Sequence, residues 1–211
     1  MSSTPYDRDA RRFFEEYEGI PFERAHARFL PLLPEGPGMV LDVGAGSGRD
    51  AAWFAARGHE VFAVEPATTL RDLAQEHHAH PRIHWIDDRL PGLDRVRRSG
   101  AAFDVVWVSA VWMHVPPGSR VRAFRRLAGS LRPGGRLFVS LRHGPFDDDR
   151  EAWPVAAGEL LDLARRQGLI CVHHSARAAD GRGRPGVSWE TMVFERVDTG
   201  SAVTEQARRG V

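Results

Sequence analysis

The sequence predicts an α/β domain built on a doubly wound, mostly parallel sheet. Short apolar runs alternate with helical segments, which is typical of a parallel sheet covered on both faces. A glycine-rich turn follows the first apolar run. A short glycine-rich link separates the last two runs, so we expect that final pair to be antiparallel. The seven predicted strands span residues 39–43, 60–65, 82–86, 103–108, 135–141, 169–176 and 188–197.

The first predicted strand ends near Asp42 and continues into three alternating glycines, Gly44, Gly46 and Gly48. Glycine allows a tight turn with positive φ and leaves no Cβ to keep a ligand away. A dinucleotide-binding fingerprint needs its third glycine at Arg49, and a P-loop needs a Gly-Lys-Ser or Gly-Lys-Thr ending that this sequence lacks. The turn therefore predicts a nucleoside site that is not built for a pyrophosphate or a triphosphate.

Acidic residues end the first two predicted strands. Asp42 closes the first, and Glu65 closes the second at 21 residues beyond Gly44, a spacing typical of a ribose-binding carboxylate. A carboxylate beside the loop opposes an anionic pyrophosphate and favours ammonium and sulfonium groups. The pattern therefore predicts a cationic nucleoside as the ligand.

The run Leu-Asp-Val-Gly-Ala-Gly-Ser-Gly at residues 41–48 resembles the first motif of the class I S-adenosylmethionine-dependent methyltransferases. The resemblance extends over roughly residues 39–197 and implies a Rossmann-like methyltransferase fold, a seven-stranded sheet whose last strand is antiparallel. It implies S-adenosyl-L-methionine as the cofactor and S-adenosyl-L-homocysteine as its product.

The resemblance also assigns roles around the loop. It implies that the glycine loop lines the methionine and ribose portion, that Asp42 lies near the amino group, and that Glu65 meets the ribose. Asp88, or its neighbour Asp87, would meet the adenine amine, and Ser109 would lie beside the sulfonium. The predicted cofactor residues are Asp42, Gly44, Ala45, Gly46, Gly48, Arg49, Asp50, Glu65, Pro66, Asp87, Asp88, Arg89 and Ser109.

Helical signals fill the second half between the strands. A segment that begins at Pro117 places Val121, Phe124, Leu127 and Leu131 at helical spacing, with most of its arginines on a solvated face. A Pro-Gly-Gly turn at residues 133–135 ends this segment, and a further helix is predicted over residues 156–167.

The sequence predicts one domain over residues 1–198, comprising an N-terminal helical lid (1–36) and a Rossmann-like core (37–198), followed by a flexible tail (199–211). Phe13, Phe14 and Tyr17 share a helical stripe in this segment. The family resemblance implies that such N-terminal helices close over the cofactor, so Phe13, Tyr17 and Phe22 are expected to be lid residues. Phe14 and Phe29 are expected to pack on the edge of the sheet instead.

Composition excludes several classes of function. The formal net charge of +1 gives no broad cationic surface for a nucleic acid, and no apolar run has the length of a membrane span. All 29 basic residues are arginine, so the chain has no lysine to form a Schiff base. The lone Cys171 is interpreted as a small buried apolar residue, and a cytoplasmic, bacterial protein is expected.

Candidate catalytic residues follow the fourth and fifth predicted strands, where doubly wound sheets bind their ligands. His143 is the first choice for a general base and His114 the second. Tyr17 is a further candidate, and Arg142 is a candidate clamp for a carboxylate or phosphate on the acceptor. Trp112 is interpreted either as a wall near the sulfonium or as part of the core.

A cluster of four histidines, at residues 77, 78, 80 and 84, is interpreted as a surface segment, and no metal site is predicted. The function predicted is methyl transfer to oxygen or nitrogen of a small-molecule acceptor. The alternatives are an RNA base methyltransferase, an inactive cofactor-binding partner subunit and, more remotely, a nicotinamide-dependent oxidoreductase.

Overall fold

The computed structural model describes residues 4–198 and contains an eight-stranded sheet of order β3-β2-β1-β4-β5-β8-β6, with β7 paired to β8. Strands β1 to β5 are parallel, and β8 runs antiparallel to both β5 and β6. The predicted sheet is confirmed, with the two-residue β7 as an addition. The strands are Met39–Val43, Glu60–Val64, Ile83–Ile86, Phe103–Val108, Leu131–His143, Leu169–His174, Ala178–Ala179 and Ser188–Arg196.

Eight α-helices accompany the sheet in the described part of the chain. They are α1 Thr4–Arg8, α2 Ala10–Glu18, α3 Phe22–Ala25, α4 Arg49–Ala56, α5 Thr68–His77, α6 Asp94–Ser99, α7 Arg120–Gly129 and α8 Ala157–Arg166, with 3-10 turns at Leu30–Leu32, Trp112–His114 and Pro117–Ser119. We call residues 4–36 the N-terminal segment, which holds α1 to α3. The tail predicted at residues 199–211 lies outside the described residues.

Both faces of the sheet are buried, which explains why its central strands are apolar without alternation. On one face, Phe22 stacks on Trp53 with ring centroids 3.9 Å apart, and Phe29 packs against Trp107 and Phe138. Phe29 packs on the sheet, but against the central strands β4 and β5 and not at the edge that we expected. Phe22, which we expected to close over the cofactor, instead lies in this core and anchors the N-terminal segment.

On the opposite face, Trp112 is fully buried and packs edge-on against Phe124. The core interpretation of Trp112 is therefore correct. Val121, predicted on the apolar stripe of this region, is 57% exposed. The buried apolar face of α7 is formed by Ala123, Phe124, Leu127 and Ala128.

The structure corrects two expectations about burial, one for Arg120 and one for Cys171. Arg120 is buried at the start of α7, where its guanidinium donates to the carbonyl oxygens of Val115 and Pro154 and to Glu159 at 2.8 Å. Cys171 is exposed, because β6 is the outer strand of the sheet. Among residues 4–198, no helix has both the length and the apolar character that crossing a bilayer requires.

Candidate active site

Two cavities meet at the carboxyl ends of the parallel strands. The first lies on the glycine loop, and the second lies between the N-terminal segment and strands β5, β7 and β8. Their common wall is formed by residues that line both cavities. These residues are Tyr6, Tyr17, Arg49, Ser109, Ala110, His114 and Arg150.

The glycine loop requires glycine for conformation and for space. Gly44 has a φ of +75°, and a Cβ there would lie 2.5 Å from Cγ2 of Val111. Gly48 has a φ of +84°, but a Cβ there would meet the ring of Trp85 on the outer side of the loop. Gly44, Ala45 and Gly46 line the first cavity, whereas Gly48 shapes the turn without lining the cavity.

Asp42 lies at the floor of the first cavity and is 2% exposed. Its Oδ2 has no hydrogen-bond partner among residues 4–198. Burial, together with the nearby carboxylate of Asp50, raises the pKa of Asp42 well above its usual range. A buried carboxylate without a partner is costly, and a cationic group in the cavity would satisfy it. The site therefore fits an ammonium-bearing nucleoside.

Glu65 braces the loop from the end of β2. Its carboxylate accepts hydrogen bonds from the backbone N–H groups of Gly46 at 2.9 Å and Ala67 at 2.8 Å. Burial raises the pKa of Glu65 to about 7, although these two bonds favour the ionised form. Glu65 and the adjacent Pro66 line the first cavity.

Arg49 and Asp50 line the first cavity, but their side chains hold the N-terminal segment onto the glycine loop. Arg49 donates to the carbonyl oxygens of Tyr17 and Ile20, each at 3.1 Å. Asp50 accepts a bond from His26 at 2.8 Å in a buried site. Burial opposes the ionisation of Asp50, yet His26 and Arg49 hold its pKa well below the usual range.

Three predicted adenine-side residues do not line the cavity. Asp88 accepts hydrogen bonds from the backbone N–H groups of Arg95 at 2.6 Å and Val96 at 3.1 Å, so it caps the first turn of α6. Asp87 is partly exposed and lies 3.7 Å from an arginine of α5. The prediction that Asp88, Asp87 or Arg89 contacts the cofactor is therefore not supported by their positions, because the turn after β3 is used to begin α6.

His114 lies on the common wall of the two cavities. Its Nδ1 is 2.6 Å from the carbonyl oxygen of Glu151, which can only accept, so Nδ1 carries the proton. Nε2 then accepts a hydrogen bond from the hydroxyl of Tyr6 at 2.9 Å. Burial lowers the pKa of His114 to about 4. The structure thus presents a neutral, oriented imidazole at this wall.

His143, the first choice for a base, lines neither cavity of the described chain. Side chains alternate along a strand, so the adjacent Arg142 lines the second cavity while His143 points to the other face, 3.2 Å from Glu190. Arg142 donates to the carbonyl oxygens of Gly144 and Pro145, and its buried Nε has no partner within residues 4–198. The geometry favours His114 over His143.

Tyr17 lines both cavities, and its ring lies 3.3 Å from the position that a Cβ on Gly46 would take. Burial raises its pKa well above the usual range, so it is a neutral wall rather than a base. Phe13 stacks behind Tyr17 with centroids 5.9 Å apart. Sequence reasoning missed Tyr6, although residues 6, 13 and 17 follow a helical spacing that could have indicated it.

Residues 40–135 match the family described as a methyltransferase domain. The chain is 30% identical over 145 residues to an uncharacterised methyltransferase of Mycobacterium tuberculosis, covering 66% of this chain and 55% of the relative. It is 32% identical over 136 residues to a ubiquinone biosynthesis O-methyltransferase of Methylocella silvestris, covering 64% and 50%. The chain thus spans about half the length of these curated relatives.

Solved structures show the same fold. A 1,6-didemethyltoxoflavin-N1-methyltransferase of Burkholderia thailandensis, with 1,6-didemethyltoxoflavin and S-adenosylhomocysteine bound, matches with a TM-score of 0.67 and 23% identity over 92% of this chain and 85% of that one. A TehB-like methyltransferase of Corynebacterium glutamicum matches with a TM-score of 0.66 and 18% identity over 92% and 100%. The domain match over residues 40–135 supports the resemblance drawn from the glycine motif, and the solved structures support its fold.

Proposed function

We propose that this chain is a class I S-adenosylmethionine-dependent methyltransferase and that it methylates an oxygen or nitrogen of a small molecule held in the second cavity. The domain match and the fold support the first part of the proposal. One observation carries the proposal. The cofactor-side cavity and the second cavity share a wall, and that wall carries an oriented hydrogen-bond pair, Tyr6 and His114. Two ligands that occupied the two cavities would meet at this pair.

The first cavity supplies the groups that would hold the cofactor. Asp42 offers an unpartnered carboxylate oxygen to the ammonium group, Glu65 offers lone pairs to ribose hydroxyls, and the loop at Gly44 and Gly46 admits close approach. S-adenosylmethionine, when bound, supplies a methyl group on a positively charged sulfur. Tyr17 covers the loop and limits access of water to this position.

The second cavity favours an acceptor that carries negative charge. Seven arginines and three acidic residues line it, so cations exceed anions. Arg142 has a buried Nε without a partner in residues 4–198, and its guanidinium lies 3.8 Å above the ring of Phe146. A carboxylate or phosphate would satisfy that nitrogen, and Phe146 would contact an apolar part of the molecule.

The Tyr6 and His114 pair supplies a route for a proton that leaves the acceptor. Tyr6 would take the proton at its oxygen while its own hydroxyl proton passes to Nε2 of His114. Because the pKa of His114 is lowered to about 4, the pair is a weak base. It suits acceptors whose proton is acidic, such as phenols, enols or ring N–H groups.

The test is incubation of the full chain with labelled methyl donor and fractionated bacterial metabolites, followed by mass identification of the product. Tyr6→Phe and His114→Gln should lower kcat more than about tenfold, since general acid–base catalysis contributes about 10²- to 10⁴-fold. His143→Gln, which lies outside both cavities, is the matched control and should keep its kcat.

Two outcomes would contradict the proposal. If the chain bound S-adenosylhomocysteine but transferred label to no metabolite fraction, it would be a cofactor-binding partner subunit. If labelling required RNA in the extract, the acceptor would be a nucleic acid instead of a small molecule.

A further inference from the structure

A carboxylate from α2 approaches two histidines at the end of α5. Glu18 is the last residue of α2, His77 is the last residue of α5, and His78 follows it directly. One ligand atom from each of the three side chains lies within 4.8 Å of the other two. Nε2 of His78 is 3.1 Å from a carboxylate oxygen of Glu18, and the two imidazole rings stand perpendicular with centroids 4.7 Å apart.

This donor set has the chemistry of a zinc site. Two imidazoles and one carboxylate form a common three-residue set for zinc, which leaves a fourth position for water. Magnesium prefers oxygen ligands and would bind such a set poorly. We propose that Glu18, His77 and His78 bind a divalent transition metal, zinc being the best match, and that the ion fastens α2 to α5.

The sequence interpretation of the four histidines as a surface segment rested on three points: His77 and His78 diverge on a helix, Pro81 interrupts the set, and the sequence places no cysteine or carboxylate at a regular spacing from them. The fold supplies that carboxylate from a position 59 residues earlier than His77, as the numbering shows.

The location of the cluster gives it a consequence for the candidate active site. Glu18 directly follows Tyr17, which covers the glycine loop, and the ring of His78 lies 3.1 Å from the position of a Cβ on Gly48. An ion at the cluster would hold the end of α2 against the loop and slow exchange of a nucleoside. None of the three ligands lines either cavity, so zinc binding can be measured separately from the proposed methyl transfer.

The test uses the untagged full chain after removal of metals with a chelator. Calorimetry with zinc chloride should give one equivalent bound, and cobalt(II) should give the absorption of a tetrahedral site. His77→Gln, an exposed position at which folding is not at risk, should weaken zinc binding at least tenfold, and Glu18→Gln should do the same. His80→Gln and His84→Gln are the matched controls and should stay within twofold of the parent.

Hydrogen exchange tests whether the ion holds α2 against α5. Zinc should slow exchange at residues 10–20 in the parent chain and leave it unchanged in His77→Gln. Zinc uptake that His77→Gln does not weaken, or that His80→Gln weakens equally, would overturn the site. Stoichiometric binding without slower exchange in α2 would overturn the fastening.

Discussion

Replacing Asp42 with asparagine should change stability and cofactor binding in opposite directions. In the free chain, this buried carboxylate has an oxygen without a partner in residues 4–198, and burial and Asp50 raise its pKa. A folded pKa above the unfolded value means that Asp42 favours folding at low pH and opposes it as pH rises above about 4. The neutral amide lacks this ionisation.

The magnitudes follow from the lost and gained interactions. Burying an ionised carboxylate without a partner costs more than burying a neutral amide there, so Asp42→Asn should be more stable than the parent by up to about 1–3 kcal/mol at pH 8 and by less at pH 5. A hydrogen bond to a charged group contributes about 1.5–3 kcal/mol, so the variant should bind S-adenosylhomocysteine about 10- to 150-fold more weakly.

Urea denaturation at pH 5 and pH 8 measures the first effect, and calorimetry with S-adenosylhomocysteine measures the second. Asp104→Asn is the matched control, because Asp104 accepts a backbone bond from Met39 and pairs with Arg132 outside both cavities. It should leave the cofactor Kd unchanged. Parent-like affinity in Asp42→Asn, or lower stability than the parent at pH 8, would refute the reasoning.

Three further predictions concern neighbouring features. Because burial raises the pKa of Glu65 to about 7 and a cationic ligand favours its ionised form, affinity for S-adenosylmethionine should rise between pH 6 and pH 8; Glu65→Gln should reduce that dependence in calorimetry. Gly44→Ala should cost about 2–4 kcal/mol in urea denaturation, since φ is +75° and the new Cβ would meet Val111; an unchanged midpoint would contradict this. Asp88→Ala should lower stability by about 1 kcal/mol through loss of the cap on α6 while the cofactor Kd stays within twofold; a large rise in Kd would restore the adenine role.

The sheet and the cofactor side of the site could be predicted because both depend on local patterns. Parallel strands bring their carboxyl ends to one edge, so the acidic residues after the first two strands had to lie beside the glycine loop. Asp42 and Glu65 line the same cavity for that reason. Asp88 also follows a strand, but the turn after β3 leads into α6, whose free N–H groups take its carboxylate.

The residues on the acceptor side of the site are harder to predict. Their positions depend on which face of a strand each side chain occupies and on contacts between distant parts of the chain. Ser140 and Arg142 are polar at alternate positions of an apolar strand, which indicates that their face lines the second cavity; His143 shares the parity of Leu141, a core residue. That signal was available in the sequence. The pairing of Tyr6 with His114 joins residues 108 positions apart and has no local signature.

Hydrogen bonds among Arg49, Asp50, His26 and the end of α2 hold that end of the helix against the glycine loop, so the two should move together. In contrast, α1 is held largely by exposed contacts: Arg8 pairs with Asp149, and Asp7 accepts a bond from the backbone N–H of Thr69. Its part-buried hydrogen bond to the wall of the cavities runs from Tyr6 to His114. Local opening follows the weaker attachments, so a nucleoside should enter where α1 lifts away. Lifting α1 separates Tyr6 from His114, and the proton route would then exist only after the entrance has closed behind the ligand.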